Sequence, residues 1–160
     1  MMIVTKYPIA IISVFLWVGF VCAISFLEAW LKFRAPGITI PLGLGIGRLV
    51  FNALNKIEWV FAIVILVSLI FDKGFSLSTF SLGETLSIRS TRAILLVIPL
   101  ILLTLQTFWL LPVLDSRAEI YLMGETPPHS SLHFYYVGME LLKVGCLIAF
   151  GIGLFNRVII

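Results

Sequence analysis

The stretch GRLVFNALNKIEWVFAIVILVSLIF, residues 47–71, joins two halves of opposite character. The first half contains an arginine, two asparagines, a lysine and a glutamate, whereas its continuation VFAIVILVSLIF has no ionisable side chain. An α-helix needs about 20 mostly apolar residues to cross a bilayer. The stretch therefore predicts a membrane-spanning helix that carries its polar groups toward one end.

The composition of the whole chain indicates a membrane protein. Of its 160 residues, 61% are hydrophobic and 12% are charged, whereas roughly a quarter of the residues in soluble proteins are charged. The net charge of +3 is scattered without a basic run, which argues against nucleic-acid binding. Two cysteines exclude a disulfide framework and a thiolate zinc site of standard spacing.

Four stretches are apolar and long enough to span a bilayer, at about residues 8–31, 44–71, 92–114 and 131–155. We therefore expect an all-α, integral membrane four-helix bundle that forms one domain over residues 1–160. Residues 72–90 are rich in Ser, Thr and Gly, which predicts a surface loop or an interfacial segment. Pro127 and Pro128 mark the approach to the last helix.

An even number of spans places both termini on one side of the membrane, here called the terminal side; the opposite side is the distal side. The basic residues on the terminal side are Lys6, Lys73, Arg89, Arg92 and Arg157. Those on the distal side are Lys32, Arg34 and Arg117, with Arg48 just inside the second span. Because cytoplasmic loops carry the excess of Lys and Arg, this balance predicts cytoplasmic termini.

The polar residues of the four spans all fall in their distal halves. These candidate ligand-binding residues are Glu28, Arg48, Asn52, Asn55, Glu58, Gln106, His133, Glu140 and Lys143. At 100° per residue, the polar residues of the second span form one stripe with Glu58 at its margin, and His133, Tyr136, Glu140 and Lys143 form another. Lys56 falls off the stripe, which predicts a separate partner or a snorkelling side chain.

Energetics predict that these stripes face the interior of the bundle. A charged side chain at the centre of a lipid-facing helix costs about 2.5–3.5 kcal/mol even on the lenient insertion scale. The expected pairs are Lys143 with Glu58 or Glu28, and Arg48 with Glu140 or Glu28, with the amides of Asn52, Asn55 and Gln106 bridging between them.

Several functions are compatible with such a cluster. The first is binding of a small amphiphilic or anionic ligand, for transport or sensing, since ionisable residues inside a membrane are functional by default. The second is an intramembrane enzyme acting on a lipid or quinone-like substrate, with His133 as the acid/base and Glu140 or Glu58 orienting it. The third is an accessory subunit of a larger membrane complex, and the fourth is a purely structural network.

Metal binding has little support in the sequence. Di-iron bundles use a Glu-x-x-His pair on each of two helices, and this spacing does not occur in the chain. His133 and Glu140 lie two helical turns apart, which is too far for both to bind one ion. We therefore expect no metal site, and the sequence identifies no cofactor.

Two segments carry a resemblance to known proteins. SFLEAWLKFRAPGITIPLGLGIGRLVFNALNKIEW (residues 25–59) and LPVLDSRAEIYLMGETPPHSSLHFYYVGMELLK (residues 111–143) resemble small bacterial four-helix membrane proteins. More distantly, the layout is similar to the transmembrane protein 205-like family, whose Pro, Arg, loop, Leu-His passage would match Pro112, Arg117 and Leu132-His133. The resemblance implies a four-helix layout in a bacterial cytoplasmic membrane and draws attention to the distal polar positions, but it implies no activity.

Overall fold

Four helical spans form the chain, and in a computed structural model the described residues are 3–5, 7–71, 88–125, 130–155 and 157–159. In this part of the chain, four spans are long and apolar enough to cross a membrane: Pro8–Arg34, Ile40–Phe71, Thr91–Leu122 and Leu132–Leu154, numbered spans 1 to 4. A helix satisfies its backbone N–H and C=O groups internally, as the bilayer interior requires. The predicted four-helix membrane bundle is confirmed.

Spans 1 and 3 are interrupted helices, whereas spans 2 and 4 are continuous. Span 1 consists of α1 (Pro8–Val21), a π-helical segment (Cys22–Glu28), α2 (Ala29–Leu31) and a 3₁₀ turn (Lys32–Arg34). Span 2 is α3 (Ile40–Phe71). Span 3 combines α4 (Ile88–Leu105), a second π-helical segment (Gln106–Leu110) and α5 (Leu111–Leu122), and span 4 is α6 (Leu132–Leu154).

Two span boundaries differ from those expected from the sequence. α3 begins at Ile40 rather than near Leu44, because Pro41 lies in the first turn of the helix, where its missing N–H breaks no hydrogen bond. Span 3 continues to Leu122 rather than ending near Leu114, so residues 115–122 are helical and not part of a loop. The predicted loop or interfacial segment at residues 72–90 lies almost entirely outside the described residues, as does the Pro127-Pro128 pair.

Both ends of the chain lie at the same end of the bundle. Strand β1 (Ile3–Thr5) pairs antiparallel with strand β2 (Arg157–Ile159), with Val4 opposite Val158. This pairing confirms that the termini share one side, and it adds a two-stranded sheet to the helical architecture. The sheet marks the terminal side of the bundle.

The terminal half of the bundle has an apolar core. α1 packs against α3 and α6, and α4 packs against α6. A Cβ atom at Gly151 of α6 would lie 3.0 Å from Val14 Cγ1, so the glycine permits the close approach of α1. The buried core residues are Tyr7, Ala10, Ile11, Val14, Trp17, Val21, Ala62, Ile65, Leu69, Leu96, Leu103, Leu147, Phe150 and Leu154. Apart from the Tyr7 phenol and the Trp17 indole, Ser13 is the one polar side chain buried in this half of the bundle among the described residues.

Candidate functional site

A buried ion cluster lies where the four spans converge. Lys143 Nζ of α6 lies 2.5 Å from Glu58 Oε1 of α3, 2.6 Å from Gln106 Oε1 and 3.1 Å from Glu140 Oε1. Gln106 Nε2 donates to Glu140 Oε1 at 2.8 Å, and the Trp17 indole N–H donates to Glu58 Oε1 at 2.9 Å. These five residues are called the central cluster.

The central cluster lies deep in the membrane. Glu58 is 13 residues from Phe71 at the end of α3, which corresponds to about 20 Å at 1.5 Å per residue. Lys143 is 11 residues from Leu154 at the end of α6, or about 17 Å by the same rise. Given a hydrocarbon core of about 30 Å, the cluster lies near the middle of the bilayer rather than at its surface.

The charges of the central cluster do not balance. Glu140 and Lys143 are completely buried and Glu58 is 1% exposed. One ammonium therefore faces two carboxyl groups, which gives a formal charge of −1 if all three are ionised. Glu140 Oε2 is buried with no hydrogen-bond partner in the described part of the chain. Such a group is costly in a low-dielectric interior, because a buried polar atom without a partner loses its hydration and gains no hydrogen bond.

The second π-helical segment explains how span 3 contacts two spans at once. Gln106 bonds to α6, while its neighbour Thr107 has its Oγ1 3.1 Å from Asn55 Oδ1 on α3. Pro112 lacks the N–H that would bond to the carbonyl of residue 108 in an α-helix, which favours a wider turn at this point. π-helical turns inside α-helices occur frequently at functional sites.

A second set of polar contacts, made by Asn55, Trp59 and Thr107, lies beside the central cluster. Thr107 Oγ1 accepts a hydrogen bond from the Trp59 indole N–H at 2.9 Å and lies 2.7 Å from the Leu103 carbonyl oxygen. Asn55 Nδ2 is buried with no hydrogen-bond partner among the described residues. A donor on α3 and an acceptor on α6 are thus both left unpaired on the distal flank of the Glu58–Lys143 pair.

A third group, the distal network, connects α3 with α5. Arg48 Nη2 lies 2.8 Å from Glu119 Oε1, and Arg48 Nε lies 3.5 Å from Asp115 Oδ1. Asn52 Nδ2 donates to Asp115 Oδ2 at 3.1 Å. Side chains of this network are partly exposed, so it opens toward the distal surface. The polar face of α3 therefore runs without interruption from the distal surface to the central cluster.

The structure tests the ion pairs expected from the sequence. The pair between Lys143 and Glu58 is confirmed. The expected pairing of Arg48 with Glu140 or Glu28 is wrong, because α5 lies beside α3 and supplies two nearer acids. Glu28 instead bonds to Lys32 of its own span, with 3.2 Å between Oε2 and Nζ.

His133 lies apart from the central cluster. It is exposed on the first turn of α6, and its ring centroid lies 6.3 Å from that of Phe134. Lys56 is also exposed and lies off the polar stripe of α3, in keeping with a snorkelling side chain. The structure therefore brings together Gln106, Glu140 and the Lys143–Glu58 pair, and it leaves His133 outside. Of the three amides expected to bridge, only Gln106 does so, because Asn55 contacts Thr107 and Asn52 bonds to Asp115.

Four residues that take part in these polar contacts were not predicted from the sequence. Asp115 and Glu119 lie beyond the predicted end of span 3 near Leu114, although their spacing of four residues places them on one face of a helix. Thr107 is a hydroxyl residue in a mostly apolar run, and the sequence gives no sign that it bonds to α3. Trp17 lies in an apolar run that gives no sign of its indole hydrogen bond.

An open groove of about 360 Å³ lies on the distal part of span 1. It is lined by Ala23, Leu27, Glu28, Leu31, Lys32 and Ala35. Its polar end is the Glu28–Lys32 pair, and Lys32 Nζ also lies 5.1 Å from the centre of the Phe51 ring on α3. The groove is thus apolar along most of its length and charged at the end that approaches span 2.

In the described ranges, no group of three or more His, Cys, Asp or Glu side chains is placed to hold a metal ion. Comparisons with protein-family models, with curated proteins and with solved structures each return no match.

Proposed function

We propose that this membrane protein binds a small amphiphilic ligand on its distal side, for transport or sensing. The observation that carries the proposal is the groove on span 1, whose apolar wall ends in the Glu28–Lys32 ion pair. Its volume of about 360 Å³ falls within the range of roughly 300–1,000 Å³ that is typical of ligand sites. The hydrocarbon part of an amphiphile would lie along Leu27 and Leu31, and its head group at the ion pair.

The charges favour an amphiphile with a neutral or zwitterionic head over a simple anion. Lys32 is paired with Glu28, Arg48 with two acids of α5, and Lys143 with two glutamates. An anion would have to displace one of these carboxylates, which a head group carrying both charges need not do. The proposed ligand class is therefore a zwitterionic or neutral amphiphile.

A chain of contacts connects the groove to the central cluster. Lys32 lies against the Phe51 ring, whose centroid is 5.1 Å from that of Tyr136 on α6. The Tyr136 hydroxyl lies 3.5 Å from Ser25 Oγ in the π-helical segment of span 1. Tyr136 is one turn from Glu140 on the distal side. A ligand that moves Lys32 or Phe51 would therefore act on residues next to the central cluster.

Filling the groove is expected to weaken binding. In the variant Leu27→Trp the indole occupies the apolar wall, and we expect at least about tenfold weaker binding of a single-chain zwitterionic phospholipid, equivalent to about 1.4 kcal/mol. Native mass spectrometry of the full chain, titrated with that lipid, measures the change. Leu16→Trp is the matched control, because Leu16 is an exposed leucine on the same span nearer the terminal side. Equal affinities for both variants and the parent protein would refute the groove as the site.

We also propose that the protein resides in a bacterial cytoplasmic membrane with cytoplasmic termini. The support is the resemblance to small bacterial membrane proteins and the excess of Lys and Arg on the terminal side. We expect a phosphatase reporter, which is active only outside the cytoplasm, to be inactive when fused after Ile160 and active when inserted after Glu125. The opposite pattern would reverse the orientation.

A further inference from the structure

We infer that the central cluster binds one proton, shared by the carboxyl groups of Glu58 and Glu140, and exchanges it with the distal side of the membrane. The inference starts from the charge count. Lys143 supplies one positive charge, whereas Glu58 and Glu140 supply two negative charges in a site where all three residues are at least 99% buried. A buried carboxylate without a counter-charge takes up a proton rather than remaining ionised.

The residues that face the cluster from each element supply no second positive charge. In the described part of the chain, its neighbours are Trp17 from α1, Glu58 from α3, Gln106 from the π-helical segment of span 3, and Lys143 and Tyr136 from α6. Trp17 and Gln106 are neutral, and Tyr136 is a neutral phenol at physiological pH. Lys143 is therefore the only cation that these elements place against the two carboxyl groups.

The two carboxyl groups have similar surroundings, so the proton belongs to the pair rather than to either residue. Glu58 Oε1 accepts hydrogen bonds from Lys143 and the Trp17 indole N–H, and Glu140 Oε1 accepts hydrogen bonds from Lys143 and Gln106 Nε2. Glu140 Oε2 has no hydrogen-bond donor among the described residues. An ionised carboxylate needs donors to both oxygens more than a neutral carboxylic acid does, so a site with this unpaired oxygen and one ammonium for two acids favours a shared proton.

The surroundings make the site accessible from one side. On the terminal side the cluster meets the apolar core, which includes Leu103, Leu147 and Phe150. On the distal side it meets Asn55 and Thr107, and beyond them the partly exposed distal network. A proton can pass along hydroxyl, amide and water groups but not through packed aliphatic side chains, so exchange occurs with the distal side.

This inference concerns the protonation of the cluster and does not depend on the amphiphile, and its test is made without that ligand. Infrared spectra of the full chain in lipid nanodiscs at neutral pH are expected to show the carbonyl stretch of a buried protonated carboxylic acid, shifted in D₂O. The band is expected to disappear in Glu140→Gln. It is also expected to disappear in Glu58→Gln, because the remaining glutamate then pairs with Lys143 and ionises.

Glu28→Gln is the matched control. It also removes one glutamate from a membrane span, but Glu28 is partly exposed and paired with Lys32, so the band is expected to persist. A parent protein without the band at neutral pH would overturn the inference, and so would a band that survives in Glu140→Gln. Neither glutamine variant leaves Lys143 without a carboxylate, so both are expected to fold.

Discussion

The variant Lys143→Met is expected to be strongly destabilised. Methionine fills nearly the same volume but leaves Glu58 and Glu140 facing each other in a completely buried site. Removal of one partner from a buried ion pair typically costs about 3–5 kcal/mol, because the remaining charge has lost both its hydration and its partner. Thermal unfolding of the purified protein in detergent, followed by circular dichroism, measures the loss.

Two further variants make this prediction specific. Lys56→Met removes a lysine from the exposed face of α3 and is expected to change the stability little. The triple variant Lys143→Met, Glu58→Gln, Glu140→Gln is expected to recover much of the stability, since no charge is then left in the site. A Lys143→Met protein as stable as the parent would show that the ammonium is not what holds the two carboxyl groups there.

The one-sided distribution of polar residues was accessible from the sequence alone. Arg48, Asn52, Asn55 and Glu58 recur at intervals of four, three and three residues, which places them along one face of a helix. The cost of exposing charges to lipid then requires that this face point inward. The structure buries Glu58 and Asn55 and leaves Lys56, which is off the stripe, exposed.

The partners of these residues were not accessible, because helical periodicity gives a direction on one helix and not the identity of its neighbour. Arg48 was expected to reach Glu140 or Glu28, but the bundle places α5 beside the distal part of α3. The loss of apolar residues after Leu114 predicts that span 3 ends there. Asp115 and Glu119 lie beyond that limit, so their place on a helix was not predicted.

The π-helical segment of span 3 could not be predicted from regular helical periodicity. Consecutive residues of an α-helix point 100° apart, yet Gln106 contacts α6 and Thr107 contacts α3. The wider turn brings both side chains into the interior at the same depth.

The two glutamates of the central cluster are expected to behave as one unit, in which either alone suffices to balance Lys143. Glu140→Gln should change the stability little, because Glu58 remains 2.5 Å from Lys143 and balances its charge. Glu58→Gln should cost about 1.5–3 kcal/mol, since the nearest charge-assisted hydrogen bond of Lys143 is lost while Glu140 remains at 3.1 Å. The double variant leaves Lys143 with no carboxylate among the residues described around it.

The double variant is therefore expected to lose about 3–5 kcal/mol, more than the sum of the two single losses. Chemical denaturation of all four proteins in the same detergent gives the coupling energy of this double-mutant cycle. A positive coupling of at least about 1 kcal/mol is expected for two acids that share one base. Strict additivity would mean that each carboxyl group acts independently, and a charge count over the cluster would then have no physical basis. Because both acids contact the same lysine, strict additivity would directly contradict a cluster in which one ammonium serves two acids.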